Sequence, residues 1–168
     1  MADTLQLDNI DRHILRELQR DGRVSFSTLA ERVGLTTTPL RQRVEKLREH
    51  KIITGYHARV DPRAVDRATM AFILVTLRDH SRTSHNRFIE GATQMSEVLE
   101  VHHIAGEEDF LLKVAVKDVA ALEALLLEKL TPIEAIARVK TTFVLSTAKI
   151  GAPIPIDDDS DSSVRNMR

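Results

Sequence analysis

The first fifty residues place hydrophobic side chains at intervals of three and four, the spacing of one face of an α-helix. Three such runs occur, and their apolar positions are Ile10, Ile14 and Leu18, then Leu29, Ala30 and Val33, then Leu40, Val44 and Leu47. Asp8, Ser25 and Thr36 precede the runs, and side chains of these types cap helix N-termini. Gly22 and Gly34 follow the first two runs and favour termination. The pattern therefore predicts three short helices.

The segment after these helices changes to a β-rich pattern. Short β-favouring pieces flank Thr54-Gly55, which predicts a small hairpin. Asp61-Pro62 ends it, because proline fixes φ and lacks an amide donor. Small Ala30 suits a helix crossing, and Gly34 can take the positive φ of the turn in a helix-turn-helix. The predicted units are a winged helix-turn-helix domain at residues 1–60 and a linker at residues 61–70.

The rest of the chain follows the order strand, helix, strand, strand, helix, strand. The predicted strands are Ala71–Leu77, Val98–Ala105, Phe110–Val116 and Ala137–Ser146. Helical spacing occurs in Ser84–Met95 and in a segment that Asp118 can cap. The βαββαβ order predicts a ferredoxin-like α+β sandwich with both helices on one sheet face. We expect this domain to span residues 71–151, so the fold class of the chain is α+β.

Both sides of the predicted central strands are apolar. In the first strand, Ile73 and Val75 alternate with Phe72 and Leu74. Two helices on the same side cover only one face of such a sheet, so something else has to cover the other. A second copy of the sheet is the simplest cover, which predicts a homodimer. The alternative is that the linker or the N-terminal domain covers this face.

Composition narrows the function classes. The chain has no cysteine, which excludes disulfides and thiol nucleophiles and suits a reducing cytoplasm. No apolar run approaches the roughly 20 residues of a membrane-spanning helix, and no signal peptide is recognised. A cytoplasmic protein without membrane contact is expected. The net charge is −1, yet residues 1–60 hold eleven Lys/Arg against eight Asp/Glu, a local excess of +3.

The C-terminal residues have a different composition. Residues 152–168 hold four acidic and two basic residues, two prolines and few apolar side chains. Such a segment buries too little apolar surface to offset the entropy lost on ordering. We therefore predict a disordered acidic tail over residues 152–168.

The third helix carries the strongest functional signal. Leu40, Val44 and Leu47 cluster on one side, and polar groups point away from them. Hydroxyl, amide and guanidinium groups read base edges and phosphates in the major groove of DNA. Seventeen of the 24 basic residues of the chain are Arg, which suits such planar recognition. The candidate DNA-binding residues are Thr36, Thr37, Thr38, Arg41, Gln42, Arg43 and Lys46.

An enzyme and a metal site are weaker interpretations. His102 and His103 are adjacent, so on a strand they point to opposite faces and do not ligate one metal together. His80 and His85 are five residues apart across a predicted loop, which is poor ligand spacing. No nucleophile with a base partner, no paired carboxylates and no glycine-rich phosphate loop are recognised. We predict no catalytic residue, metal site or cofactor.

Several motifs together resemble the Lrp/AsnC (feast/famine) family of transcription regulators. They cover about residues 5–150 and are Leu7–Leu15, Asp21–Arg23, Leu29–Thr36, Arg43–Leu47, Ile52–Tyr56 and Glu100–Val114. The resemblance implies dimers through the βαββαβ domain that assemble into tetramers or octamers, bind pseudo-palindromic double-stranded DNA and respond to a small amino acid. Siroheme-decarboxylase-type enzymes look similar and stay an alternative. A DNA-architectural protein without an effector is another, although +3 is a small charge for sequence-blind binding.

The resemblance also implies an effector site at the loop between the second and third strands. Ile104, Ala105 and Gly106 would offer backbone groups, Asp109 a carboxylate, and Thr142 on the last strand a hydroxyl. Turn chemistry alone explains Gly106 and Asp109 equally well. Glu108 stands where many relatives have an aromatic or apolar residue, which leaves the identity of the effector open and favours a cationic or strongly hydrogen-bonding ligand.

Overall fold

The computed structural model describes residues 5–158. The chain divides into two compact units. Among the described residues, one unit, the helical unit, comprises residues 5–58 together with residues 149–158, and the other, the sheet unit, runs from Arg59 to Ala148. No helix among residues 5–158 is long and apolar enough to cross a membrane.

Three helices form the helical unit: α1 at Asn9–Arg20, α2 at Phe26–Val33 and α3 at Thr37–Glu49. Asp8 and Asp11 form a capping box at the start of α1, and Ser25 caps α2. Asp8 and Ser25 accept hydrogen bonds from first-turn amides that have no partner within the helix, and Asp11 accepts from the amide of Asp8. The core contains the predicted apolar positions, with Ile14, Leu29, Leu40, Val44 and Leu47 at most 4% exposed.

A buried carboxylate joins the first two helices. Glu17 of α1 accepts a hydrogen bond from Arg32 of α2 at 2.9 Å and one from Arg20 at 2.6 Å. The hydrogen bond from Arg32, supported by the nearby charge of Arg20, lowers the pKa of Glu17 despite its burial. Glu17 is therefore held ionised between two guanidinium groups.

The hairpin predicted after α3 is wrong: none of residues 51–60 is in a strand. Lys51 has a φ of 56°, and the amides of Ile52 and Ile53 donate to the carbonyl of Leu47 at 2.9 and 3.1 Å. The two isoleucines thus close the C-terminus of α3 and pack on the helical core instead of pairing as a strand. The ring of Tyr56 packs next to Gly22. If residue 22 carried a Cβ atom, that atom would lie 3.1 Å from Cδ1 of the Tyr56 ring.

The predicted linker is shorter and more ordered than expected. Residues Pro62–Val65 form a 3₁₀ turn that begins at Asp61, whose side chain accepts from the amide of Arg63. The first strand of the sheet begins at Thr69. Proline at the first turn position has a suitable φ and needs no amide partner there, so it starts this turn rather than breaking structure.

The tail prediction is wrong for residues 152–158, and Asp159–Arg168 lie outside the described residues. The segment belongs to the helical unit, and Ile156 packs against its core. Composition missed this because one half-buried isoleucine makes the apolar contact with the core, while main-chain groups that composition does not reveal make most of the polar contacts.

The sheet unit has the predicted βαββαβ order, which confirms the ferredoxin-like α+β fold. Its elements are β1 at Thr69–Leu77, α4 at Arg82–Thr93, β2 at Val98–His103, β3 at Phe110–Val116, α5 at Val119–Ala124 and β4 at Ile136–Phe143. A π-helical turn at Leu125–Leu130 continues α5. The sheet order is β2-β3-β1-β4, with all pairs antiparallel.

The two faces of the sheet differ in whether helices cover them. Ala71, Ile73 and Val75 of β1 are fully buried, and they share a cluster with Phe88 of α4 and Leu122 of α5. The other side, which we call the open face, carries Phe72 and Leu74 of β1, Leu111 and Lys113 of β3, and Lys140 and Thr142 of β4. The apolar side chains of the open face are half-buried within the protomer.

Candidate DNA-binding and effector sites

A tight turn sets α3 against α2. Gly34 has a φ of 71°, in the left-handed region that favours glycine, and its amide donates to carbonyls at the end of α2. The amide of Leu35 donates to the carbonyl of Ala30 at 2.9 Å. These bonds satisfy carbonyls that a helix end leaves free, and they start α3 immediately after the turn. This is the helix-turn-helix geometry that the sequence predicted.

The outer side of α3 is polar and exposed. Burial of Leu40, Val44 and Leu47 fixes which side faces the core. The exposed predicted residues are Thr36, Thr37, Thr38, Arg41, Gln42 and Lys46. Thr36 occupies the N-cap position without a side-chain capping bond, so the first-turn amides of α3 are not taken up by it. The structure thus places six of the seven candidate DNA-binding residues on one accessible surface.

Arg43 is the exception. Its guanidinium donates to Asp8 at 2.7 Å and to Asp11 at 2.8 Å, and its side chain is 32% exposed. The hydrogen bonds to Asp11 and Asp8 raise the pKa of Arg43. Arg43 therefore ties α3 to the capping box of α1. The sequence made Arg43 a candidate DNA-binding residue on the flank of the polar face, because its carboxylate partners lie 32 and 35 residues away in the chain and give no local signal.

Arg41 stays at the surface with a defined position. Its guanidinium carbon lies 4.5 Å from the centroid of the Phe26 ring at the start of α2. A cation over an aromatic face is attracted by the ring quadrupole, worth about 0.5–1 kcal/mol at exposed sites. The contact orients Arg41 while leaving its donors accessible to another molecule.

The predicted effector loop lies at one end of the sheet. The amide of Ile104 donates to the carbonyl of Asp109 at 2.9 Å and closes the loop between β2 and β3. Ala105 and Gly106, inside the loop, are exposed. This turn therefore lies at the surface of the protomer.

Asp109 already has partners within the sheet unit. One carboxylate oxygen accepts from the amide of Leu77 at 2.7 Å, and the other lies 3.0 Å from His80 Nδ1. The side chain is 16% exposed. Asp109 thus fixes the end of β1 to the loop, so the turn-chemistry interpretation describes its contacts in the protomer.

Thr142 is not brought to this loop. It pairs with Phe72 on the open face, whereas the amide of Asp109 donates to the carbonyl of Val75 at 2.9 Å. The three residues from Phe72 to Val75 correspond to about 10 Å along β1. Within one protomer, the loop and Thr142 therefore lie apart.

Sequence reasoning missed a histidine cluster beside the loop. The His85 ring centroid lies 4.7 Å from that of His103 and 5.0 Å from that of Phe110. His102 points to the other side of β2, 3.0 Å from Glu100, as the alternation of a strand predicted. The pairing of His103 with Phe110 follows from the β2–β3 register, which spacing along the chain does not reveal. Among residues 5–158 no group of three or more acidic or histidine side chains is arranged to hold a metal ion.

Both units match domains of one protein family. Residues 7–48 match the AsnC-type helix-turn-helix domain, and residues 70–154 match the Lrp/AsnC ligand binding domain. The Bkd operon transcriptional regulator of Pseudomonas aeruginosa is 37% identical over 151 residues, which cover 90% of this chain and 99% of that protein. The leucine-responsive regulatory protein of Escherichia coli is 36% identical over 143 residues, covering 85% and 87% of the two chains.

Solved structures show the same arrangement of elements. A transcriptional regulator of Neisseria meningitidis, crystallised as a complex with L-Met, has a TM-score of 0.85 at 30% identity, and the match covers 90% of this chain and 98% of that one. An AsnC family regulator of Agrobacterium tumefaciens has a TM-score of 0.82 at 34% identity, covering 89% and 97%. These relatives are regulators rather than enzymes. With the two domains matched in order and relatives above 30% identity along nearly their whole length, this chain belongs to the Lrp/AsnC family of transcriptional regulators.

Proposed function

We propose that α3 of this regulator reads DNA in the major groove through Arg41, Gln42 and Lys46. The observation that carries the proposal is the division of α3 into a buried apolar side and an exposed polar side. Amide and guanidinium groups on such a side form bidentate hydrogen bonds with adenine and guanine edges. Thr36, Thr37 and Thr38, at the N-terminus of α3, would contact phosphate, which free amides and the helix dipole favour there.

Arg43 takes a positioning role in this proposal. Its bonds to Asp8 and Asp11 hold α3 against α1, and therefore fix the orientation of the side chains that meet DNA. Removal of Arg43 would weaken DNA binding through loss of this orientation rather than through loss of a direct contact.

Arg41→Ala tests the DNA interface. If Arg41 contacts a base edge, the variant should bind its operator about 1–3 kcal/mol more weakly and lose preference at one position. If it contacts phosphate, the loss should be uniform across sequences, and the slope of binding against salt should fall by about one. Gel shifts at two salt concentrations distinguish these cases. Arg82→Ala, an exposed arginine of the sheet unit, is the control, and equal affinity of both variants would remove Arg41 from the interface.

A small amino acid is the proposed effector, bound at the loop between β2 and β3. Backbone groups of Ile104, Ala105 and Gly106 would bind its carboxylate, and Asp109 its ammonium group. The complex of the Neisseria meningitidis relative with L-Met supports this class of ligand. Thr142 would join the site only from another protomer, since it lies away from the loop of its own chain.

The open face of the sheet supports the proposed homodimer. Phe72, Leu74 and Leu111 form its apolar centre, and no element of the sheet unit covers them. Lys140 on β4 and Glu100 on β2 add opposite charges near the two edges. A second sheet would bury the apolar centre, and such dimers would assemble further into tetramers or octamers. We also expect this regulator to be cytoplasmic, since that location gives it access to DNA.

A further inference from the structure

One side of α1 is occupied by residues 154–158 of the same chain, which we call the C-terminal strap. Arg12, Arg16 and Gln19 are spaced by four and three, so they line one side of the helix. Each of them contacts main-chain atoms of the strap. The sequence does not explain why these three side chains line one side of α1, because the proposed DNA-recognition side chains are on α3.

The main chain of the strap is held at three successive points. The Gln19 side-chain amide donates to the carbonyl of Ile154 at 3.0 Å and accepts from its amide at 2.6 Å, as a neighbouring strand would. Arg16 donates to the carbonyl of Ile156 at 3.2 Å. Arg12 donates to the carbonyl of Asp157 at 3.1 Å. Main-chain bonds of this kind supply affinity in the recognition of extended peptides.

The two isoleucines of the strap differ in their surroundings. Ile154 is 75% exposed, whereas Ile156 packs against the core of the helical unit. Asp158 pairs with Arg16 at 2.9 Å, but the two side chains are 54% and 31% exposed, and such surface pairs contribute little. The apolar contact of Ile156 and the main-chain bonds therefore dominate the interaction.

The groove is larger than the strap that lies in it. A cavity of about 570 Å³ remains between the strap, α1 and the segment after α3. Its apolar lining includes Leu15, Leu18, Ile53 and Tyr56. A preformed apolar groove with polar groups along one wall is the usual architecture of a peptide-binding site.

We propose that this groove is a docking site for an extended peptide held by its main chain and one isoleucine, and that its occupant is the chain's own strap, Ile154-Pro155-Ile156-Asp157-Asp158. The chain leaves the helical unit after Ala58 and returns to it at Lys149. Docking therefore gives the helical unit a second tether to the sheet unit. Because the strap and the groove belong to one chain, docking is intramolecular, so a modest intrinsic affinity suffices.

Hydrogen exchange of the full-length chain tests docking. The amide of Ile154, bound to Gln19, should be protected in the wild type. Ile156→Asp places a charge against the core and should reduce this protection at least tenfold, equivalent to about 1.4 kcal/mol. Ile154→Asp makes the same change at the exposed position and should retain it. Unchanged protection of α1–α3 amides shows that the variants are folded. No protection in the wild type, or equal loss in both variants, would overturn the proposal.

A free peptide tests whether the groove recognises this sequence. A synthetic peptide of residues 152–158 should bind full-length Ile156→Asp, whose groove is vacated, and should not bind the wild type or Ile154→Asp. Adding Gln19→Ala to Ile156→Asp should weaken peptide binding at least tenfold. Absence of binding to Ile156→Asp at millimolar peptide would contradict a docking site. Protection of Ile154 that rises with protein concentration would instead assign the strap to a second copy.

Discussion

Asp109 has a structural role in the fold and a proposed role in ligand binding. Its carboxylate binds the amide of Leu77 and lies next to His80, so it has a structural role without any effector. A ligand ammonium group would have to share this carboxylate. The charge is dispensable for the bond to Leu77, because a neutral amide oxygen accepts the same hydrogen bond. Replacement of the charge alone therefore separates the two roles.

Asp109→Asn should weaken effector binding about fivefold while leaving the melting temperature nearly unchanged. A charge-assisted bond to ammonium contributes about 1 kcal/mol more than a neutral one, and 1.4 kcal/mol is a factor of ten. A thermal-shift screen of the twenty amino acids identifies the ligand, and calorimetry then compares wild type, Asp109→Asn and the loop control Glu107→Gln. Equal affinities in all three proteins would limit Asp109 to its structural role.

Contacts between elements determine which predictions from the sequence succeed. Helix positions follow from the spacing of residues such as Leu40 and Val44, and the βαββαβ order follows from strand alternation. The partners of Arg43, the cluster around His103 and the docking of Ile156 depend on residues far apart in the chain. The wing was mispredicted because Ile52 and Ile53 have strand propensity but pack on the helical core.

The ion pairs of Glu17 with Arg32 and Arg20 predict that the stability of the folded protein decreases at acidic pH. Glu17 has a pKa below the ordinary glutamate value of about 4.3, because Arg32 and Arg20 stabilise its charged form. Because the pKa of Glu17 is lower in the folded state, its ionised carboxylate stabilises the folded protein at pH values above the unfolded-state pKa. This contribution is lost as the pH falls through the folded-state pKa. Glu17→Gln should therefore lower the urea midpoint at pH 7, and its difference from wild type should shrink below about pH 4.

Glu31→Gln is the matched control for this measurement, because Glu31 is an exposed glutamate on α2. Its urea midpoint should follow that of the wild type at both pH values. If Glu17→Gln and wild type differ by the same amount at pH 7 and at pH 3.5, the ion pairs do not account for the stability that Glu17 provides.

At the scale of the whole molecule, the proposed reading of DNA by α3 and the proposed pairing of two protomers through the open face act together. Each helical unit presents one α3, and a dimer presents two. A two-fold dimer that reads the major groove binds two inverted half-sites about one helical turn, or 10–10.5 base pairs, apart, or a multiple of that spacing. The symmetry of the preferred DNA therefore reports on both parts of the account.

Selection of preferred sequences from a random duplex library tests this account most directly. The wild type should enrich two inverted half-sites. Leu74→Arg, which places a charge in the apolar centre of the open face, should enrich a single half-site, while Leu127→Arg, at a position 61% exposed on the helix side, should behave as wild type. Enrichment of no motif by the wild type, or of the same paired motif by Leu74→Arg, would contradict the account.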